Sequence, residues 1–262
     1  MQEWASLSPL SHAGVTGVVV MDGDLTFRVP EPGFIDNLLS VLFPLRCVHC
    51  GAFGYWLCQS CAEALTAIGP ENCSRCGRPG LDKVATCAEC RGRNLPFGFA
   101  RAAFRFEGPG RSLVHALKYG GQQRLARLMA AISCSAASLT VPEKDVTLTY
   151  VPLHRSKLAS RGYNQAELYA KALSRLLDLP LTGLLEKKHP TPPQNRLNSK
   201  QRQNNLAGSF ALRKEAGPPN SRILLIDDVY TTGSTAAECA RVLCGGLGAR
   251  VDVWTFARTV KE

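Results

Sequence analysis

Nowhere among the 262 residues is there a run of about 18 consecutive apolar residues, so a helix crossing a bilayer is not expected. The first 33 residues also lack the basic start and apolar middle of an export signal, and the apolar stretch Val15–Met21 is too brief to supply them. A cytoplasmic chain is therefore expected, with residues 1–33 as a weakly structured extension. Aromatic residues are scarce, at 7%. In the most basic segment only Tyr163, Tyr169 and Phe210 are available to stack on bases, so strand binding by stacking is weakly signalled there.

Acidic residues are outnumbered 21 to 31 by lysine and arginine, a formal charge of +10. Between Pro152 and Arg213 the excess is concentrated, with eleven basic and three acidic residues. Such a segment suits an anionic ligand, a diphosphate or a nucleic acid, although each lysine alone can equally be a solvated surface charge.

Cysteine is abundant by contrast. Eight of the 11 cysteines form four C-x-x-C pairs, Cys47/Cys50, Cys58/Cys61, Cys73/Cys76 and Cys87/Cys90, within 44 residues. Two residues between ligands allow a tight turn that points both sulfurs at one ion, and four soft sulfurs select zinc or, less often, iron. Disulfides do not fit a chain expected in a reducing compartment. Two zinc ions on eight thiolates would lower the net charge to about +6. The pairs repeat as a unit: Cys47-Val-His-Cys50-Gly51 then Cys58-Gln-Ser-Cys61, and Cys73-Ser-Arg-Cys76-Gly77 then Cys87-Ala-Glu-Cys90. The repeat favours two sequential sites, but the loops of 7 and 10 residues between pairs are short. An interleaved arrangement, first pair with third and second with fourth, stays open. His49 reads as a bystander. Cys134, Cys239 and Cys244 lie in helical stretches and read as core, not as nucleophiles.

The segment from Ile223 to Thr235 carries the chemistry. Ile223-Leu224-Leu225-Ile226 reads as a buried parallel strand. Asp227 and Asp228 follow, then Tyr230-Thr231-Thr232-Gly233-Ser234-Thr235, then a helix-forming run. An open α/β sheet builds ligand sites beyond the carboxyl ends of its strands. Backbone N–H groups of Thr231–Thr235 can wrap a phosphate at a helix N-terminus, with Gly233 permitting close approach. The two carboxylates can accept from vicinal hydroxyls. Phosphate plus diol describes a ribose 5-phosphate.

This segment resembles the phosphoribosyl diphosphate signature of type I phosphoribosyltransferases, with Tyr230 where an aliphatic residue is more usual. The resemblance implies an α/β fold, a parallel sheet flanked by helices. Alternating elements agree: an edge strand at 100–106, helices at 109–118 and 123–137, a strand at 146–151, a helix at 163–179, a short strand at Leu184-Leu185, a strand at 222–227, a helix at 234–247 and a strand at 250–256. A short helix is expected at Phe34–Phe43. The ribbon module is placed at 34–96 and the phosphoribosyltransferase-like domain at 97–262.

A double cysteine ribbon before such a domain, together with Ala103-Phe104-Arg105-Phe106, Leu117-Lys118-Tyr119-Gly120-Gly121 and Arg161-Gly162-Tyr163-Asn164-Gln165, resembles the ComF family of competence proteins. That resemblance implies a role in DNA uptake. It implies phosphoribosyl diphosphate with Mg²⁺ as ligand and Asp227 and Asp228 beneath the ribose. Arg155 and Lys157 would lie in a diphosphate loop after the first core strand, with Arg161 and Asn164 close by. Arg196 and Arg202, on a polar lid at 191–205, would neutralise the departing diphosphate. The acceptor is unspecified. The other reading is an accessory factor whose ribbons and basic segment contact single-stranded DNA or a DNA-import helicase.

Overall fold

A computed structural model describes residues 45–80, 86–136, 145–190, 206, 208–214 and 222–260. The extension at 1–33, the helix expected at Phe34–Phe43 and the lid with Arg196 and Arg202 lie outside these residues.

Four parallel strands make the main sheet: β1 (Ala100–Arg105), β2 (Val146–Tyr150), β5 (Arg222–Tyr230) and β6 (Arg250–Arg258), in the order β1-β6-β5-β2. Ile223 to Ile226 are buried throughout, as a strand covered on both faces requires. A two-stranded antiparallel ribbon, β3 (Leu185–Lys187) with β4 (Phe210–Leu212), packs beside the sheet; only β3 has a counterpart in the sequence reading.

Around the sheet lie α1 (Gln59–Glu63), α2 (Gly108–Tyr119), α3 (Leu125–Ala136), α4 (Arg155–Arg161), α5 (Gln165–Leu177) and α6 (Ser234–Leu247). Helix α5 packs on α3, β2 and β5, and α6 on β4, β5 and β6. Tyr169 of α5 is fully buried; it accepts from Trp254 Nε1 at 3.0 Å and shares a 2.8 Å hydrogen bond with Ser133. This satisfied polar cluster ties α3, α5 and β6 into one core.

The cysteine-rich segment is not a loosely tethered appendage. Thr66–Ile68 runs antiparallel along the outer edge of β1, with Ile68 N–H to Ala103 O and Arg105 N–H to Thr66 O both at 2.8 Å. The expected edge strand is therefore covered, which removes an exposed row of donors and acceptors.

Two expectations are corrected in detail. Arg155 and Lys157, expected in a loop, sit on a short helix, Arg155–Arg161, capped by His154, whose Nδ1 accepts from Ser156 N–H at 3.3 Å. The strand carrying the acid pair runs three residues past Asp227, to Tyr230.

Candidate functional site

The four cysteine pairs gather as two sequential sets, Cys47/Cys50/Cys58/Cys61 and Cys73/Cys76/Cys87/Cys90, each with its sulfurs within 4.8 Å of one another. Interleaving is excluded by this geometry. The two knuckles are built alike. Arg46 bridges Phe53 as Asn72 bridges Pro79, and Cys47 N–H donates to Ala52 O as Cys73 N–H donates to Arg78 O. Gly77 stands at φ +69°, and a Cβ there would lie 2.6 Å from Ala100 O, so only glycine lets this turn reach the sheet.

The donor set fits zinc: four thiols, small-loop turns and N–H groups aimed at sulfur, Cys58 N–H on Cys47 at 3.4 Å and Cys87 N–H on Cys73 at 3.2 Å. Burial opposes ionisation of Cys47 and Cys73, but the turn N–H groups outweigh it and bring both thiols down to about 6. Cys61 and Cys90 are pushed up, first by burial and then by the neighbouring sulfurs, as expected of four thiols sharing one site. The first set is partly open, with Cys50 exposed; the second is buried entirely. The second knuckle is also bolted to the sheet: Ala100 N–H donates to Arg75 O at 2.7 Å, and Arg101 Nη1 donates to Cys73 O and Ser74 O, each at 3.2 Å.

At the C-terminal end of β5, Asp227 and the small loop border a common cleft. Asp227, Val229, Tyr230, Thr231, Gly233 and Thr235 line one cleft with Ala236 and Thr255. Gly233 caps α6 in the left-handed conformation, φ 75°, and contributes no side-chain acceptor. Thr232 and Ser234 hydroxyls are 2.9 Å apart. Thr231, Gly233 and Thr235 thus border one hollow at the N-terminus of α6.

Asp228 is buried and ion-paired with Lys118 at the end of α2. Burial raises its pKa, yet the Lys118 ammonium outweighs this and holds the carboxyl below the usual range. Asp227 goes the other way: burial first, then the Asp228 charge, push it well above the usual range. Asp228 N–H donates to Asp227 at 2.9 Å. The two carboxyls are therefore shifted in opposite directions, Asp228 toward the ionised form and Asp227 toward the protonated one.

Residues 38–91 match the double zinc ribbon domain family. Along most of its length the chain is similar to the DNA utilization protein YhgH of Escherichia coli K12, 28% identical over 80% of this chain and 93% of the relative. It is 29% identical to competence protein F of Haemophilus influenzae, over 82% of this chain and 98% of the relative. The same identity holds for competence protein ComFC of Bacillus subtilis, over 78% and 84%. The chain is a homologue of these competence and DNA-utilization proteins.

The remaining expected contacts divide. Arg155 and Lys157 are exposed on α4. Arg161 donates to Gln165 Oε1 and lies with its guanidinium 5.3 Å from the exposed ring of Tyr119. Asn164 is committed elsewhere: its carbonyl accepts from Ala166 N–H at 3.0 Å and its amide donates to Val151 O at 3.0 Å. Two cations escaped the sequence reading. Lys118 was seen within a family segment but not as the partner of Asp228. Lys187 of β3 is near Lys157 and Asp227; burial first, then the Lys157 charge, lower its pKa. Neither lysine lies near the acid pair in sequence, so no local pattern marks it.

Proposed function

We propose that the chain binds phosphoribosyl diphosphate with Mg²⁺ and serves DNA uptake in the cytoplasm; the role in DNA uptake is supported by homologues named for competence and DNA utilization. The observation that carries the ligand is the acid pair at the end of β5 followed directly by the Gly233 loop that opens α6. The 5-phosphate sits on Thr231–Thr235. The ribose hydroxyls meet the Asp227 carboxyl and the Asp228 carboxylate, displacing part of the Lys118 contact. Lys157, Lys187 and Arg155 face the diphosphate. Magnesium, when bound with the ligand, shields the phosphate oxygens. If transfer follows, loss of diphosphate leaves an oxocarbenium-like carbon, and the protein acts by positioning and charge neutralisation instead of a covalent nucleophile.

Titration calorimetry of the zinc-loaded protein with phosphoribosyl diphosphate and Mg²⁺ tests this, beside Gly233→Ala. A Cβ at Gly233 would lie 2.1 Å from the Tyr230 hydroxyl, and the φ of +75° is itself strained for alanine, by about 1–2 kcal/mol. Saturable heat in the wild type and its loss in Gly233→Ala is the expected result. No heat from the wild type sinks the reading.

A second activity has its own observation. Phe53 and Tyr55 on the first knuckle are 57% and 50% exposed, and the Arg46 guanidinium lies 3.8 Å over the Phe53 ring. Exposed rings beside a cation suit the bases and phosphates of a single strand. Fluorescence anisotropy with a labelled single-stranded oligonucleotide should show binding that weakens steeply with salt and drops in Phe53→Ala/Tyr55→Ala; unchanged binding in that variant removes the first knuckle as the contact.

A further inference from the structure

Arg258 closes β6 and is 3% exposed. A buried guanidinium needs partners for its donors, and those of Arg258 join two parts of the molecule. Its Nη1 donates to the backbone carbonyl of Cys76, a member of the second cysteine set. Its Nε donates to Thr259 O at 3.4 Å. Its Cζ lies 5.1 Å from the ring centroid of Tyr230, its register partner on β5. Tyr230 is 5% exposed, and its hydroxyl occupies the space where a Cβ on Gly233 would stand. Cys76, Arg258, Tyr230 and Gly233 therefore form one continuous line of contacts, from the second metal knuckle to the hinge of the anion loop.

We propose that Arg258 is a positioning residue that couples the second cysteine set to the loop Thr231–Thr235. With four thiolates fixed on a metal ion, the Cys76 turn is rigid and its carbonyl holds the guanidinium over Tyr230. Tyr230 then stays pressed beneath Gly233, which holds the loop in its observed conformation. When the second set is loosened, Arg258 loses its acceptor, Tyr230 is free to shift, and the loop opens. Among the described residues the first set leads elsewhere: His49 Nδ1 lies 3.0 Å from the Ser112 hydroxyl on α2. The two metal sites thus have unequal consequences. The ligand side of this coupling rests on the proposed role of the loop; the structural side does not.

The test uses full-length, zinc-loaded protein with glycine ¹⁵N-labelled, in wild type, Arg258→Gln and Arg258→Lys. The first readout is the Gly233 amide resonance without ligand. The second is calorimetric affinity for phosphoribosyl diphosphate with Mg²⁺, with zinc content measured on the same samples. Arg258→Gln should keep its zinc, move the Gly233 resonance and bind about tenfold more weakly, since small misplacements of a binding group have effects of this size or larger. Arg258→Lys retains a cationic donor but loses the planar guanidinium fork, so both readouts should fall between those of wild type and Arg258→Gln. An unmoved Gly233 resonance with undiminished affinity in Arg258→Gln overturns the coupling. Should Arg258→Gln not fold, Arg258→Lys decides alone: a Gly233 resonance identical to wild type overturns the proposal, and a partial shift supports it. If the wild type itself does not bind, the ligand reading fails, while the Gly233 resonance still tests the coupling.

Discussion

Replacing Cys73 and Cys76 together by serine should lower the thermal midpoint by about 10 °C or more, because metal-site binding energy is folding energy. The matching change at Cys47 and Cys50 should lower it by clearly less. The asymmetry follows from burial and attachment. Cys73, Cys76, Cys87 and Cys90 are 0–5% exposed, whereas Cys50 is open to solvent. The second knuckle is held by Ala100 N–H, Arg101 and Arg258, so its collapse strips hydrogen bonds from β1 and β6 as well as from itself. Buried groups left without partners are expensive. Thermal unfolding followed by circular dichroism, with zinc stoichiometry measured on each variant, checks this. Equal losses for the two pairs would show that the second site is no more integral than the first.

This integration is what the sequence could not display. Four C-x-x-C pairs in a repeated unit announce two metal sites by local spacing alone, and the structure assembles them in the favoured sequential pairing. The unit from Ile223 to Leu247 was legible for a similar reason. Its apolar run, acid pair, glycine turn and helical stripe are consecutive, and each obeys a local rule. Helix α4 was not, because it buries no residue and so has no apolar periodicity to read. The β3–β4 ribbon consists of three-residue strands, too short for alternation to register. Lys118, Lys187 and Arg258 act across large separations in sequence, and only the packed sheet brings them to the acid pair or the loop. Tyr230 is the instructive case. It departs from the aliphatic residue usual in the resembling signature, and the structure gives the aromatic ring a partner in Arg258 and a task beneath Gly233.

The Lys118–Asp228 pair supplies the sharpest separation of stability from binding. Lys118→Met should destabilise the protein by about 3–5 kcal/mol, because the Asp228 carboxylate would be left buried with no countercharge. The pH dependence should then change sign. In the wild type the Asp228 pKa is depressed, so its contribution to stability is present above the ordinary carboxylate value of 3.8 and is lost as pH falls through the folded value. Without Lys118, burial, the largest influence on this carboxyl, raises the folded value instead. The penalty is then full at neutral pH and relieved by protonation as pH falls. Denaturant midpoints at about pH 7 and about pH 5 should therefore converge toward wild type on acidification. The double change Lys118→Met/Asp228→Leu removes both charges from a site whose side chains are 21% and 4% exposed. It should recover most of the stability lost in Lys118→Met, since replacing a buried pair by apolar groups is often neutral. It should not recover binding of phosphoribosyl diphosphate, because the acceptor for the ribose hydroxyl is gone. A double variant that remains as unstable as Lys118→Met would mean that the lysine serves packing and not charge. One that is stable and still binds would remove Asp228 from the ligand site.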